Sequence, residues 1–183
     1  MVVGIIVAVV IIVILVVVIG LYNNLVRLRN RVDNAWAQID VQLQRRQDLI
    51  PNLVETVKGY AGHESGTLQA VTEARAAVSR ATTPQDKMQA EGALTSALRG
   101  LFAVAEAYPE LKANANFQQL QAQLAETEDK ISYMRQSYND TVMNYNTAIQ
   151  TFPAVLLAGA LGFTARPSFD ADAGAEVAPK VQF

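Results

Sequence analysis

Apolar residues form an unbroken run at the start of the chain. Val2 to Leu21 holds no charged side chain and no strong hydrogen-bonding side chain. A helix of this length rises about 30 Å, which matches the hydrocarbon thickness of a bilayer. A buried core helix could share this composition, but uniformly apolar helices of this length are rare in soluble proteins. The pattern therefore predicts a transmembrane anchor over residues 1–21.

A cleaved signal peptide is the main alternative for this apolar run. Such a peptide needs basic residues before an apolar core of about 7 to 15 residues, and a cleavage site of small residues after it. No Lys or Arg precedes the run, and only Val18-Ile19-Gly20 distantly resembles a cleavage site. Because the chain has no cysteine, a lipid-modified cysteine, a disulfide and a thiolate metal site are excluded as well. We expect the segment to remain in the protein as its anchor.

Basic residues lie on one side of the predicted anchor. Arg27, Arg29 and Arg31 follow it closely, whereas no basic residue precedes it. Because segments rich in Lys and Arg stay on the cytoplasmic side, this asymmetry places the N-terminus outside and the body in the cytoplasm. The expected location is the inner (cytoplasmic) membrane, crossed once.

Beyond the anchor, apolar residues recur every three or four positions as far as Tyr60. Their mean spacing of about 3.5 residues is typical of a coiled-coil seam. Nothing between Gly20 and Arg31 breaks a helix, so the anchor can continue directly into this second part. The seam positions are Leu25, Leu28, Val32, Ala35 or Trp36, Ile39, Leu43, Ile50, Leu53, Val57 and Tyr60.

A polar stretch interrupts this seam at residues 44–54, with the sequence QRRQDLIPNLV. Arg46, next to Arg45, occupies a seam position, so its side chain must extend to solvent, pair with an acid or face another subunit. Pro51 removes the hydrogen bond to the carbonyl four residues earlier and should kink a continuing helix. Alternatively, Asp48 caps a new helical segment that tolerates Pro51 in its first turn. In either case we expect a polar joint at which the helix changes direction.

Three further helices are predicted after a glycine-rich turn at residues 59–66. A second helix follows this turn, and a third begins after Thr83, which is placed as its N-cap before Pro84. Asn116 can cap a fourth helix, which repeats the seam spacing. Four helices with short connections, two of them long, predict an all-α antiparallel bundle over residues 22–152.

The C-terminal part, residues 153–183, differs in character from the predicted bundle. Residues 152–163 are apolar but too short and too glycine-broken to span a bilayer. Because a large exposed apolar patch is unfavourable, we expect them to pack on the bundle, on a neighbouring subunit or on the membrane surface. The remaining tail is rich in Ala, Pro and Asp, which indicates an extended chain with Phe169 and Phe183 as anchor points.

Short motifs stand along the chain from residue 22 onwards. They include Tyr22-Asn23, Leu25-Val26, Arg29-Asn30, Ala35-Trp36, Ile39-Asp40-Val41-Gln42-Leu43, Arg45-Arg46, Asp48-Leu49-Ile50-Pro51-Asn52-Leu53-Val54, Lys58-Gly59-Tyr60-Ala61, His63-Glu64, Tyr108-Pro109, Asn116-Phe117, Glu126-Thr127-Glu128, Tyr138-Asn139 and Tyr145-Asn146. In this combination the chain resembles the LemA family over essentially all of residues 22–163. The resemblance implies an α-helical, single-pass bacterial membrane protein with its N-terminus outside and its helical body in the cytoplasm. It implies no known enzymatic activity and no established ligand.

His63 and Glu64 are the strongest candidates for catalysis. His63 is the only histidine and could act as a general base or bind a metal. One imidazole beside one carboxylate is a poor metal site, and no Ser or Cys nucleophile stands in a recognisable motif. A role in the turn or in capping is therefore the favoured interpretation. Glu126, Glu128 and Asp129 could bind a divalent cation, but acidic residues on a helix more often form a solvated face.

Tyrosine–asparagine pairs form the other unusual feature. Tyr22 lies where the apolar run ends, as interfacial aromatic residues do. Tyr138 and Tyr145 are seven residues apart, so they share one face of the fourth helix. This face is either a core with polar tips or a surface for a partner.

We hypothesise a membrane-tethered helical scaffold that self-associates and binds partners, without catalysis and without a cofactor. Its expected partners are the lipid bilayer, further copies of the chain in a homo-oligomer, and an unidentified membrane protein. Nucleic acid is not expected, because the net charge is −2 and offers no attraction to phosphates. The second hypothesis is a membrane-remodelling or envelope-stress factor that acts on lipid shape or on another membrane protein. The third is a small hydrolase that uses His63 and Glu64.

Overall fold

The computed structural model describes residues 1–169, and within them every regular element is a helix. The all-α prediction is therefore confirmed. The helices are α1 (Val2–Lys58), α2 (Ser65–Arg80), α3 (Pro84–Glu106), α4 (Pro109–Lys112) and α5 (Ala115–Gln150), followed by a single 3-10 turn at Ala154–Leu156.

Helix α1 continues without interruption from the apolar run into the amphipathic sequence. The large side chains from Val2 to Val17 keep between 47% and 73% of their surface exposed. An 18-residue window of α1 has a mean hydropathy of 3.9, and none of it is buried against the rest of the described chain. Exposure of such a surface to water is costly, whereas hydrocarbon solvates it. By length and composition, α1 is therefore able to cross a membrane.

Pro51 lies inside α1, which continues beyond it to Lys58. Asp48 therefore does not cap a new helix, and that alternative is wrong. Its carboxylate instead accepts a hydrogen bond from Gln44 Nε2 at 2.9 Å, one helical turn away. A proline removes a single backbone hydrogen bond from a helix interior, and the bonds on either side keep α1 continuous.

Local capping signals account for where α3 and α5 begin. Thr83 caps α3 as predicted, because its Oγ1 accepts a hydrogen bond from the Asp86 N–H at 3.1 Å and donates one to the Asp86 carboxylate at 2.7 Å. The prediction that Asn116 caps the last long helix is wrong. Asn114 performs this role, since α5 begins directly after it and its Oδ1 accepts from the Phe117 N–H at 3.1 Å.

The described residues form two compact units. Unit 1 comprises residues 1–37 and 136–168, and unit 2 comprises residues 38–135 together with Phe169. Helices α1 and α5 each contribute residues to both units. The core of unit 2 includes Ile50, Leu53, Val57, Leu68, Val71, Leu94, Leu101 and Phe117. The buried side chains of unit 1 include Leu25, Val32, Tyr138, Val142, Tyr145 and Ile149.

The seam positions of α1 and α5 are largely covered by the chain itself. On α1 the buried members are Leu25, Val32, Ile39, Leu43, Ile50, Leu53 and Val57. On α5 they are Phe117, Leu124, Thr127, Ile131, Tyr138, Val142 and Tyr145. Because these side chains are already buried in one copy, the seams do not by themselves require a second copy.

Residues 151–163, which we call the apolar loop, connect α5 to the C-terminal segment through turns. Three of its side chains are buried, namely Ala154, Ala158 and Phe163. Leu157 is half-buried, and four large side chains remain exposed, namely Phe152, Val155, Leu156 and Leu161. The loop therefore covers part of its apolar surface within unit 1 and presents the rest outwards.

Residues 164–169 follow the loop without helix or strand, which agrees with the predicted extended segment. Phe169 is buried, and the Arg135 guanidinium lies 4.9 Å from the centre of its ring. Phe183, the other predicted anchor point, lies outside the described residues.

Candidate functional site

Arg46 points into the interior of unit 2 and pairs with acids from two other helices. Its Nη1 lies 3.3 Å from Glu91 Oε2 on α3 and 3.0 Å from Glu128 Oε2 on α5. Its Nη2 donates a hydrogen bond to Thr95 Oγ1 at 2.9 Å. Of the three arrangements predicted for Arg46, pairing with an acid is the one found in the single chain. We call these four residues the polar cluster.

Glu91 is the most buried member of the polar cluster, with no exposed surface. Burial raises the pKa of its carboxyl group from 4.5 to about 7, although the charges of Arg46 and Arg135 act in the opposite direction. Within residues 1–169, Glu91 Oε1 and Arg135 Nε have no hydrogen-bond partner. The cluster can therefore exchange a proton near neutral pH, but a substrate in solution cannot reach the Glu91 carboxylate.

The carbonyl of Gln47 is the one that Pro51 leaves without a partner inside the helix. Arg75 of α2 supplies the missing donor, because its Nε lies 3.1 Å from Gln47 O. The Gln47 side chain is held by the same helix, since Ser79 Oγ donates to Gln47 Oε1 at 3.1 Å. The predicted polar joint is therefore the place where α2 is bonded to α1.

Arg45 and Asp48 are exposed on α1 and do not belong to the polar cluster. Arg45 acts through its charge on α5. There, the hydrogen bond and charge of Lys130, together with the charge of Arg45, lower the pKa of Glu126. Arg45 thus contributes to the electrostatics of this surface.

His63 is exposed in the turn between α1 and α2. Its neighbour Glu64 stands at the N-terminal end of α2 and accepts a hydrogen bond from Tyr108 Oη at 3.4 Å. The two side chains therefore lie in a turn, and Glu64 is engaged in packing that turn against the end of α3.

Two of the three acids on α5 that could have bound a cation, Glu126 and Glu128, are engaged in ion pairs. Glu126 pairs with Lys130, and Glu128 pairs with Arg46. Across the part of the chain that the structure describes, no group of three or more His, Asp or Glu side chains could hold a metal ion. The predicted alternative of a solvated acidic face agrees with the exposure of Glu126.

Tyr138 and Tyr145 hold the segment that follows the apolar loop, residues 164–168, which we call the strap. The Tyr138 hydroxyl donates to the carbonyl of Pro167, and the Tyr145 hydroxyl donates to the carbonyl of Thr164, each at 2.9 Å. Burial raises the pKa of both phenols. Their rings therefore belong to the core of unit 1, while their polar tips bind the strap backbone.

Asn146 binds the same strap through both halves of its amide group. Its Nδ2 donates to the carbonyl of Arg166, and its Oδ1 accepts from the Arg166 N–H, each at 2.9 Å. This is the pair of bonds that a neighbouring strand residue would make. The Arg166 side chain adds an ion pair to Asp33 of α1 at 3.1 Å.

Tyr22 and Trp36, the other aromatic candidates, lie along the same part of α1. The Tyr22 ring meets the Phe163 ring edge-on at 5.7 Å, and the Arg29 guanidinium lies 5.2 Å from the centre of the Phe163 ring. The Trp36 ring meets the Tyr138 ring edge-on at 5.8 Å. All the tyrosines singled out from the sequence therefore contact the apolar loop or the strap.

Comparison with known proteins places this architecture in a family. The LemA family model matches residues 35–183 of the chain. The chain belongs to the LemA family. Among curated relatives, the Protein LemA of Metamycoplasma hominis is 28% identical over 138 residues, which cover 73% of this chain. The Magnetosome protein MamQ 2 of Paramagnetospirillum magneticum and the Magnetosome protein MamQ of Magnetospirillum gryphiswaldense are 25% and 24% identical over 168 residues, or 78% of this chain.

In each case the alignment spans 62% of the length of the relative. This LemA-family chain therefore corresponds to about three-fifths of each of these relatives.

Two important residues of this LemA-family chain were missed from the sequence. Glu91 stands three residues before Leu94, so a charge on the continued apolar stripe of α3 was the signal that could have revealed it. Arg166 binds through its backbone as well as its side chain, and no pattern in the sequence marks it.

Proposed function

We propose that the chain is a single-pass, membrane-anchored helical protein that works by self-association and by binding another membrane protein, without catalysis. The anchor is residues 1–21, the helical domain is residues 22–152, and residues 153–183 form the apolar segment and tail. The observation that carries the proposal is the wholly exposed apolar part of α1, which is continuous with a folded helical body. A surface of this kind is solvated by lipid and not by water.

Self-association needs a surface other than the covered seams. Gly4 and Ala8 offer one on the apolar part of α1, because small residues four apart share a helix face and let two helices approach closely in a bilayer. A Cβ added at Gly4 would meet no atom within 4 Å in the single chain. Nothing within one copy therefore requires a glycine at this position.

Single cysteines can test self-association directly, because the chain has no cysteine of its own. We expect Gly4→Cys and Ala8→Cys to form disulfide-linked dimers when native membranes are oxidised. The control Val10→Cys lies about half a turn away from Ala8 around the helix and should crosslink less. Absence of a dimer at every position from 2 to 20 would contradict self-association through α1. Crosslinking only to a different protein would support partner binding and contradict the homo-oligomer.

The proposed location is the inner membrane with the helical domain in the cytoplasm, on the basis of Arg27, Arg29 and Arg31 after the apolar run. A thiol reagent that does not cross membranes should label Val2→Cys in intact cells. It should label His63→Cys only after the cells are opened. The reverse labelling pattern would overturn this orientation while leaving the anchor itself intact.

The absence of catalysis is proposed because His63 is exposed in a turn and its neighbour Glu64 is bonded to Tyr108. We therefore expect His63→Gln to leave folding and the yield of Ala8→Cys dimers unchanged. A loss of biological function with normal folding and normal dimer yield would instead support a chemical role for His63.

A further inference from the structure

The apolar loop presents large side chains outwards at one end of unit 1. Phe152 is 80% exposed and Leu156 is 69% exposed, and Val155 and Leu161 are exposed as well. Single exposed apolar residues are ordinary on protein surfaces. Four of them between residues 152 and 161 are unusual, and an exposed apolar patch of this kind indicates contact with an apolar partner.

The contacts within unit 1 place this loop beside the end of the predicted membrane span. The ring of Phe163, at the end of the loop, lies 5.7 Å from the ring of Tyr22, which directly follows the apolar run. The Arg29 guanidinium also lies 5.2 Å from the centre of the Phe163 ring. One aromatic residue of the loop is therefore fixed where the hydrocarbon would end.

The geometry of α1 and α5 places Phe152, at the start of the loop, near the same depth as Phe163. Within unit 1, Trp36 of α1 meets Tyr138 of α5. From Trp36 back to Tyr22 the rise is about 21 Å, and from Tyr138 forward to the end of α5 at Gln150 it is about 18 Å. Phe163, at the far end of the loop, contacts Tyr22. The end of α5 therefore lies near the level of Tyr22, where the hydrocarbon would end, and Phe152 follows the last turn of α5.

The charge pattern suits this position. Between Asp140 and the end of the described chain at Phe169 there is no acidic residue, and Arg166 is the only basic one. Carboxylates near a bilayer surface are repelled by anionic lipids, whereas an uncharged apolar segment enters the interface at little cost.

We propose that the apolar loop inserts Phe152, Val155 and Leu156 into the membrane interface beside the anchor helix, as a second contact of each copy with lipid. This inference rests on the proposed membrane anchor. The surface that covers these side chains is the acyl-chain boundary of the same bilayer that α1 is proposed to cross. The alternative, which the test must exclude, is that a second copy of the chain covers them.

The test uses the full chain in phosphatidylcholine vesicles that carry a nitroxide near the headgroup end of the acyl chain. Trp36 is the only tryptophan, so Trp36→Phe gives a background without tryptophan emission. A tryptophan is then introduced by Phe152→Trp in the loop, by Met143→Trp as the control and by Val10→Trp in the anchor. Met143 is 61% exposed in the same unit but lies about 10 Å back along the helix axis from the end of α5 at Gln150.

Interfacial insertion reaches about 5–10 Å into the headgroup boundary, so nitroxide quenching at position 152 should exceed that at position 143 at least about twofold. The emission at position 152 should also shift to shorter wavelength. Leu156→Trp repeats the measurement if Phe152→Trp loses the helical circular dichroism of the background variant.

Equal quenching at positions 152 and 143, with strong quenching at position 10 by a nitroxide placed deep in the acyl chain, would overturn the loop proposal and leave the anchor standing. A blue-shifted but unquenched emission at position 152 would mean that protein covers the loop, which also overturns the proposal. Absence of quenching at position 10 would instead overturn the membrane anchor on which the inference rests.

Discussion

At the scale of single residues, Glu91 determines how the protein should respond to pH. Its carboxyl group is buried, and its pKa is raised from 4.5 to about 7. The folded chain therefore binds a proton more tightly than the unfolded chain. Stability from this group is fully present below pH 4.5, and it is lost as the pH rises towards 7.

We predict that the free energy of unfolding falls by up to about 3 kcal/mol between pH 4.5 and pH 8, because one pKa unit corresponds to about 1.4 kcal/mol. Glu91→Gln should remove this dependence, since an amide keeps the shape of the side chain but does not titrate. Unfolding followed by circular dichroism across this pH range measures the difference.

Glu126→Gln is the matched control for this prediction. Glu126 is an exposed acid whose pKa is lowered by Lys130, so its titration cannot cause a loss of stability as the pH rises. The pH dependence should therefore be unchanged in this variant. If Glu91→Gln and the parent chain show the same slope, the raised pKa of Glu91 is wrong.

At the scale of elements, the bond from Arg75 to Gln47 O explains how α1 can contain Pro51. We predict that Arg75→Ala destabilises the fold by about 1–3 kcal/mol, because it leaves a partly buried carbonyl without a donor. In a Pro51→Ala background the same substitution should cost less, since alanine supplies the missing N–H within the helix. Denaturation of the two single variants and the double variant measures this coupling.

Additive effects of the two substitutions would contradict the role given to Arg75. Pro51→Ala alone tests the separate prediction, made from the sequence, that the proline kinks α1, and we expect the straightened helix to alter assembly. An unchanged oligomer in that variant would count against it.

Side chains of α5 hold the strap through hydrogen bonds to its backbone. The protection of the Arg166 amide from solvent exchange should therefore depend on the side chain of Asn146. We predict that the Arg166 amide exchanges slowly with solvent in the parent chain and rapidly in Asn146→Ala, because Asn146 Oδ1 is the acceptor of that N–H. Tyr138→Phe, which removes the hydroxyl that donates to Pro167 O, should leave the Arg166 amide protected. Hydrogen exchange read by mass spectrometry or NMR distinguishes the two variants, and equal exchange in both would contradict this assignment.

The sequence was sufficient to predict the long helices, but it did not predict which side chains pair between them. The apolar run, the seam spacing and the Thr83–Pro84 cap predicted helices because each depends on local periodicity or on a bond within four residues. The error at Asn116 arose because two asparagines compete for one cap, and only the true helix start decides between them. The partners of Arg46 lie at least 45 residues away in the sequence and those of Gln47 at least 28, so no local pattern could identify them.

At the scale of the whole molecule, we propose an anchor in lipid that carries a folded helical body. The seams that first suggested a coiled coil are buried within one copy. We therefore propose that self-association is concentrated in the apolar part of α1, where Gly4 and Ala8 share a face.

The most direct test of this claim is the mass of the full chain in detergent micelles, measured by light scattering at micromolar concentration with the detergent contribution subtracted. The account predicts a multiple of the 19.9 kDa chain mass. This mass should fall towards a single chain in Gly4→Leu but not in Gly20→Leu, since both positions are open in one copy and only Gly4 pairs with a small residue four positions on. A mass of one chain at every concentration would contradict the account.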